Sequence, residues 1–93
     1  MDAARVDGTA SMLTLFYGLM AGGMWTERRQ SNVLDGGAPF ARCYATRDNR
    51  FVAVCALETE FFARLLEALS IDDIDPADQY DMDRWPAHHE IFA

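Results

Sequence analysis

Seven consecutive apolar residues at positions 51–57, FVAVCAL, constrain the fold more than any other part of the sequence. A run of this length bounded by turn residues is typical of a β-strand that is covered on both faces. Asp48 and Asn49, two residues that tolerate positive φ, precede it, and a further strand-like stretch occupies positions 40–47. The pattern predicts an antiparallel β-hairpin with a two-residue turn, and this hairpin must pack against other elements.

The length of the turn sets the pairing register of the hairpin. A two-residue turn places Arg47 opposite Arg50 and Cys43 opposite Val54. Because successive side chains of a strand alternate between its faces, Cys55 is then predicted on the face opposite to Cys43. We therefore expect both cysteines to be buried, inert thiols, neither joined in a disulfide nor acting as nucleophiles.

Helical patterns lie on both sides of the hairpin. Apolar residues recur at helical spacing over positions 9–21, which predicts one amphipathic helix that ends at Gly22 and Gly23, where glycine can adopt a left-handed cap. After the hairpin, Thr59 is predicted to cap a helix over about 60–70. The apolar stripe of that helix is formed by Phe61, Phe62, Leu65, Leu66 and Leu69.

Two segments lack periodicity and are predicted as loops. Positions 24–39 are rich in Gly, Asn, Arg and Asp, and a loop of this length is usually functional or disordered. Positions 71–84 are rich in Asp and predict a loop with one short helical turn, while Pro86 favours a helix start after Trp85. The predicted class is α+β, with an N-terminal helix, a long loop and a hairpin packed with a helix.

Composition limits the partners of the chain. Ninety-three residues form at most one small domain, and 51% of them are hydrophobic, so we expect part of the apolar surface to face another chain or domain, with a homo-oligomer as one outcome. The net charge is −7 without a basic cluster, which argues against nucleic acid. The apolar run at positions 12–24 is interrupted by glycines and is shorter than the ~20 residues of a membrane span, so we expect a soluble, cytoplasmic protein.

Glu58 is the first candidate for chemistry, because it stands where an apolar strand ends and a helix begins. A carboxylate near a helix N-terminus is favoured in its charged form, and strand ends often carry catalytic groups. The alternative is that Glu58 and Glu60 are ordinary acidic residues of a helix start.

The sequence offers no convincing metal site. The adjacent pair His88 and His89 would point in different directions on a helix, so a solvated helix face is a better interpretation than a zinc site. The Asp-rich segment lacks the glycine and the closing glutamate of a calcium loop. We expect no metal and no cofactor.

Several motifs resemble those of the α-methylacyl-CoA racemases, within the family III CoA-transferases. The strongest is NVLDGGAPF at positions 32–40, which matches N-x-L-D-G-G-A-P-[FY] throughout. DAARVDG at positions 2–8, the G-x-W…R stretch from Gly23, A-[IM]-E-x-x-F at positions 56–61 and Q-x-D…W-P at positions 79–86 follow in order. Departures occur at Ala41, where an aromatic is usual, and at Cys55, where glycine is usual.

The resemblance implies a function and a set of site residues. Such enzymes move a proton at the α-carbon of a 2-methylacyl-CoA thioester, with acyl-CoA as substrate, and use a His, an Asp and a Glu. The Glu matches Glu58, whereas the His, the Asp and the CoA-binding domain belong to the part of the family sequence upstream of this segment. The substrate-binding residues implied here are Leu34, Asp35, Gly36, Gly37, Ala38 and Leu57.

The resemblance also implies a domain division and a quaternary arrangement. Positions 1–23 correspond to a connecting helix and positions 24–93 to part of a small domain, in enzymes that form interlocked dimers. Both ends look like cuts through a longer protein. We expect the chain alone to be inactive and to need a complementing CoA domain, and the alternative is a non-enzymatic module that self-associates or binds a partner.

Overall fold

The computed structural model describes residues 4–93, so the motif positions 2 and 3 and the interpretation of Met1 lie outside the described residues. The elements, in chain order, are α1 (Arg5–Met12), α2 (Thr14–Ala21), β1 (Ala41–Ala45), β2 (Phe51–Cys55), α3 (Thr59–Leu69) and α4 (Trp85–Phe92). A 3-10 turn, Pro76–Asp78, lies between α3 and α4. The predicted α+β class is confirmed. No helix among these residues is long and apolar enough to cross a membrane.

The N-terminal helical region differs from the single helix predicted over positions 9–21. It begins earlier, at Arg5, and divides at Leu13 into α1 and α2. Leu13 keeps right-handed φ and ψ of −68° and −12°, and its N–H is shared between the carbonyls of Thr9 (3.3 Å) and Ala10 (3.2 Å). The division is therefore a local tightening of the helix toward 3-10 bonding, which a hydrophobic pattern does not reveal.

The glycine cap at the end of α2 is confirmed. Gly23 has φ of +71°, the N–H of Met24 donates to the carbonyl of Leu19 at 2.8 Å, and the N–H of Gly23 donates to that of Met20 at 3.0 Å. This pair of bonds with a left-handed residue is the Schellman arrangement. It stops the helix and turns the chain into the predicted loop, which contains neither helix nor strand and extends over positions 24–40, one residue beyond the predicted end at position 39.

The predicted hairpin is present, but its predicted register is wrong by one residue. Cys43 pairs with Ala53, not with Val54. The reason is a longer connection: the N–H of Thr46 donates to the carbonyl of Arg50 (2.8 Å) and the N–H of Asn49 donates to that of Thr46 (3.0 Å). Asn49 adopts the left-handed conformation, with φ of +65°, which is typical of a three-residue hairpin loop.

The shift of one residue places Cys43 and Cys55 on the same face of the hairpin, because it exchanges the faces of one strand. Both are free and exposed, so the predictions of opposite faces and of buried thiols are wrong. The face is open because the described elements pack against the other side of the sheet, where Tyr44 stacks on Phe92 of α4 with ring centroids 6.0 Å apart.

The core forms where the long loop, α3 and the C-terminal segment meet. Phe40, fully buried just before β1, packs edge-to-face against Phe62 of α3 (5.4 Å) and Trp85 of α4 (5.9 Å). The buried hydrophobic residues are Ala38, Phe40, Ala56, Phe62, Leu66, Ile74 and Trp85. This cluster therefore fixes the C-terminal end of the long loop relative to α3 and α4.

Helix α3 follows the prediction closely. It starts at Thr59 with Glu58 as its N-cap, so the predicted cap is displaced by one residue, and it ends at Ser70 in the left-handed conformation. Of the predicted stripe, Phe62 and Leu66 are buried, whereas Phe61 is exposed. Helix α4 begins at Trp85 with Pro86 in its first turn, as predicted.

Candidate active site

Asp35 organises the loop that carries the LDGGAP run. One carboxylate oxygen accepts the N–H groups of Asn32 (2.8 Å) and Gly37 (3.0 Å), and the other accepts the N–H of Ser31 (3.2 Å) and the side-chain amide of Asn32 (2.7 Å). Burial opposes ionisation, but these hydrogen bonds outweigh it and lower the pKa of Asp35 below its usual value. The carboxylate is therefore engaged within its own loop.

Asn32 connects this loop to the segment before it. Its side chain is 1% exposed, its carbonyl oxygen accepts the N–H of Thr26 (2.7 Å), and its amide donates to the carbonyls of Thr26 (3.0 Å) and Arg28 (3.3 Å). The middle of this long loop is thus held by the hydrogen bonds of a buried amide and a carboxylate. Hydrophobic patterns do not reveal loop order of this kind, because it depends on hydrogen bonds between polar side chains and the backbone.

The two glycines of the run are required for different reasons. Gly36 has φ of +85°, a conformation that other residues adopt only with strain. A Cβ on Gly37 would lie 2.5 Å from the backbone nitrogen of Asn32, so the backbone itself fills that space. Ala38 is fully buried in the core. The predicted roles of Asp35, Gly36, Gly37 and Ala38 in substrate binding stay predictions, since their clearest observed contribution is to build the loop.

Leu34 and Leu57, the other two predicted substrate-binding residues, lie in one groove. The groove has a volume of about 290 Å³, and its surface is almost wholly apolar. Trp25, which packs edge-to-face on Phe16 of α2 with centroids 4.9 Å apart, forms its N-terminal side. The complete lining is Leu19, Met24, Trp25, Val33, Leu34, Leu57 and Tyr80.

Met24, Trp25 and Tyr80 are not among the predicted substrate-binding residues, yet all three line the groove. Met24 and Trp25 begin the long loop, and Tyr80 belongs to the Asp-rich segment, so only the fold brings them to Leu57. The sequence feature that could have indicated the groove is the presence of large apolar residues in segments predicted to be polar loops.

Glu58 lies next to this groove, directly after Leu57. It occupies the N-cap position of α3 with extended φ and ψ (−75°, 139°), and its side chain forms no capping hydrogen bond. Burial, followed by the charge of Glu58, raises the pKa of Tyr80, a residue of the groove, above its usual value. The junction thus presents an exposed carboxylate beside an apolar surface.

The prediction of a solvated helix face for His88 and His89 is wrong. His88 is 5% exposed, and burial is the largest cause that lowers its pKa. The Nε2 of His89 lies 2.8 Å from the carbonyl oxygen of Gly37, which can only accept, so Nε2 donates and Nδ1 accepts from Arg42 Nη1 at 2.9 Å. His88 is buried and His89 is half-buried because α4 packs against the hairpin and the LDGGAP loop. Within residues 4–93, no three His, Cys, Asp or Glu side chains form a metal cluster.

Comparison with known proteins identifies the class. The model of the CoA-transferase family III matches residues 1–91, and the chain belongs to this family. Among individual proteins, the chain is 37% identical over all 93 residues to alpha-methylacyl-CoA racemase of Mus musculus and to the protein of the same name from Homo sapiens. It spans 24% of the length of each. The family resemblance inferred from the motifs is confirmed.

Proposed function

We propose that the chain is the glutamate-bearing part of an enzyme that transfers a proton at the α-carbon of a 2-methylacyl-CoA thioester. The observation that carries the proposal is the position of Glu58 directly after Leu57, which lines the apolar groove together with Leu34. An apolar groove suits an acyl chain, and a carboxylate free of capping bonds is available for acid–base work. The identity to two racemases supports the same assignment.

The reaction divides the work among several groups. A base removes the α-proton to give the enolate of the thioester, and an acid returns a proton to the opposite face, so the product differs from the substrate only in configuration. The two faces need separate acid–base groups, and the enolate oxygen needs hydrogen-bond donors. Glu58 would supply or support one of these groups. We therefore propose that the remaining groups and the CoA site come from complementing protein, and that the chain alone is inactive.

The test is α-proton exchange in heavy water. The 93-residue chain replaces the matching segment of the mouse racemase, and the chimera is incubated with a 2-methylacyl-CoA. We expect deuterium uptake at the α-carbon, and a loss of about 10²- to 10⁴-fold in Glu58→Gln, the usual size of an acid–base contribution. Glu60→Gln, an acidic residue in the first turn of the same helix, is the matched control and should leave the rate unchanged.

Two results would contradict the proposal. A Glu58→Gln chimera that exchanges as fast as its parent would remove Glu58 from the chemistry. Appreciable exchange by the purified chain without the chimera's other segments would show that it needs no complementing protein.

A second function, a self-associating module, is favoured by the exposed apolar side chains. Met12 is 77% exposed, Phe51 is 78% exposed, and both belong to elements with little cover in residues 4–93. Light scattering over a range of concentrations tests this proposal. A well-folded chain that stays monomeric at high concentration would count against it.

A further inference from the structure

Three hydrogen bonds converge on the backbone that leads into Glu58. The side-chain amide of Gln79 donates to the carbonyl oxygens of Ala56 and Leu57, both at 3.0 Å. The hydroxyl of Tyr80 also donates to the Leu57 carbonyl. We call Gln79 and Tyr80 the carbonyl clamp, because they hold the two peptide groups immediately before Glu58.

Gln79 is fixed from its other side as well. It is 2% exposed, and its own backbone carbonyl accepts a hydrogen bond from the indole N–H of Trp85 at 2.9 Å. Trp85 is 3% exposed and packs on Phe40, so the support of Gln79 extends into the core. The position of the clamp is therefore set by the buried core around Phe40 and Trp85.

The partners of the Gln79 side chain fix the orientation of its amide. Both of its partners are carbonyls, which only accept, so the NH₂ group must face them. Its oxygen Oε1 is then buried without a hydrogen-bond partner among residues 4–93. The orientation of the Gln79 amide is therefore set by the two carbonyls before Glu58.

We infer that Gln79 is a positioning residue that fixes Glu58 beside the apolar groove, with Tyr80 as its partner in the clamp. The inference rests on the proposed role of Glu58. Helix α3 holds the backbone of Glu58 on one side, where the Glu58 carbonyl accepts the N–H of Phe62 at 2.9 Å, but the Glu58 side chain forms no capping bond. The clamp holds the two peptide groups on the other side of Glu58. Acid–base groups must keep their geometry, and a displacement of about 1 Å can reduce the rate by about a hundredfold.

Tyr80 has two functions in this arrangement. Its ring packs edge-to-face on Phe40 at 5.4 Å and lines the groove, while its hydroxyl holds the Leu57 carbonyl. Tyr80 thus connects the wall of the groove to the backbone that immediately precedes Glu58. The groove and the carboxylate should therefore keep a fixed relation to each other.

The first experiment measures the clamp in the 93-residue chain, without any assay of activity. NMR relaxation gives the order parameter of the Glu58 amide, for which we expect about 0.85 in the parent and below about 0.6 in Gln79→Met. Ile74→Val, a core truncation at a residue that is 3% exposed, is the matched control for lost packing and should leave this value unchanged. Tyr80→Phe, at a half-exposed side chain, is the variant least disturbing to folding and should show a smaller loss of order.

The second experiment uses the chimera with the mouse racemase. Gln79→Met should lower kcat about 10- to 100-fold and change KM by less than about twofold, because the groove remains. If Gln79 acts through Glu58, its substitution has no further effect on a Glu58→Gln background. A merely structural residue would lower the rate by the same factor on both backgrounds.

The outcomes separate this inference from the proposed function. An unchanged order parameter in Gln79→Met and Tyr80→Phe, or an equal loss of rate on both backgrounds, would overturn the positioning role. Full activity of the Glu58→Gln chimera would instead overturn the proposed function, and the relaxation measurement would still decide whether the clamp orders the backbone at Glu58.

Discussion

The N-terminal helices and the body of the molecule contain similar apolar residues, but these side chains are exposed in the helices and buried in the body. In α1 and α2 no residue is buried, and Leu15 is 61% exposed. In the body, defined as residues 25–93, the same kinds of side chain form a closed cluster in which Phe62 is fully buried. Helical spacing of apolar residues therefore creates a surface that can be buried, but burial needs a second surface in the right place.

The body supplies that second surface because Phe40 stands at its centre. Three aromatic rings, those of Phe62, Tyr80 and Trp85, pack edge-to-face around it. Within α1 and α2, by contrast, only Phe16 and Leu19 are half-buried, at the side of the groove. The exposed apolar surface expected from composition is therefore unevenly distributed, and much of it lies on the N-terminal helices and on β2.

The sharpest test of this comparison is truncation of one apolar residue in each region. Phe62→Ala should lower the free energy of unfolding by about 3–5 kcal/mol, because it leaves a cavity in a closed core. Leu15→Ala, at an exposed site of α2, should change it by less than about 0.5 kcal/mol. Urea unfolding followed by Trp85 fluorescence, in a Trp25→Phe background, measures both. Equal losses would mean that the two regions form one core.

Replacement of a glycine by alanine should change stability in opposite directions in the two regions. Gly37→Ala should destabilise the body by about 3 kcal/mol, because the new Cβ would meet backbone atoms of Ser31 and Asn32 that cannot move aside alone. Gly8→Ala in α1 meets nothing within 4 Å and should stabilise that helix by about 0.5–1 kcal/mol. Urea unfolding measures the first change, and circular dichroism at 222 nm measures the second. A Gly37→Ala chain as stable as its parent would contradict the tight loop geometry.

The smallest expected effect is the pH dependence of stability that arises from Asp35 in the body. The pKa of Asp35 is lower in the folded chain than its ordinary value of 3.8, so its hydrogen bonds stabilise the fold above that pH and are lost as the pH falls through the folded-state value. Asp35→Asn should lower the free energy of unfolding by about 1–2 kcal/mol at neutral pH. The new NH₂ group would face N–H donors where the carboxylate oxygen now accepts their hydrogen bonds. The difference between parent and variant should shrink in urea titrations below about pH 4.

A difference in unfolding free energy that stays constant from neutral pH to about pH 3 would contradict the role of the Asp35 carboxylate. The helicity of α1 and α2 is the internal control for this titration. The hydrogen bonds that the Asp35 carboxylate accepts all come from Ser31, Asn32 and Gly37, which lie outside both helices.

Much of the fold and part of the candidate site follow from the sequence. The hairpin strands, α3 and the start of α4 were predictable, because alternation, helical spacing and proline position act within a few residues. Glu58 and the LDGGAP run could be selected from motifs, whereas the ordering of that run by Asn32 and Asp35 could not. The register also escaped prediction, since it depends on whether Asn49 adopts a left-handed conformation.

The sequence by itself determined the class of the fold, the family and the place of Glu58 at a strand-to-helix junction, because these depend on local pattern and on residue identity. The tertiary structure alone decided that His88 is buried, that Cys43 and Cys55 share an open face, and that Tyr80 meets Leu57 across 23 positions. The physical reason is that burial and long-range hydrogen bonds depend on how separate elements pack, which no single segment specifies.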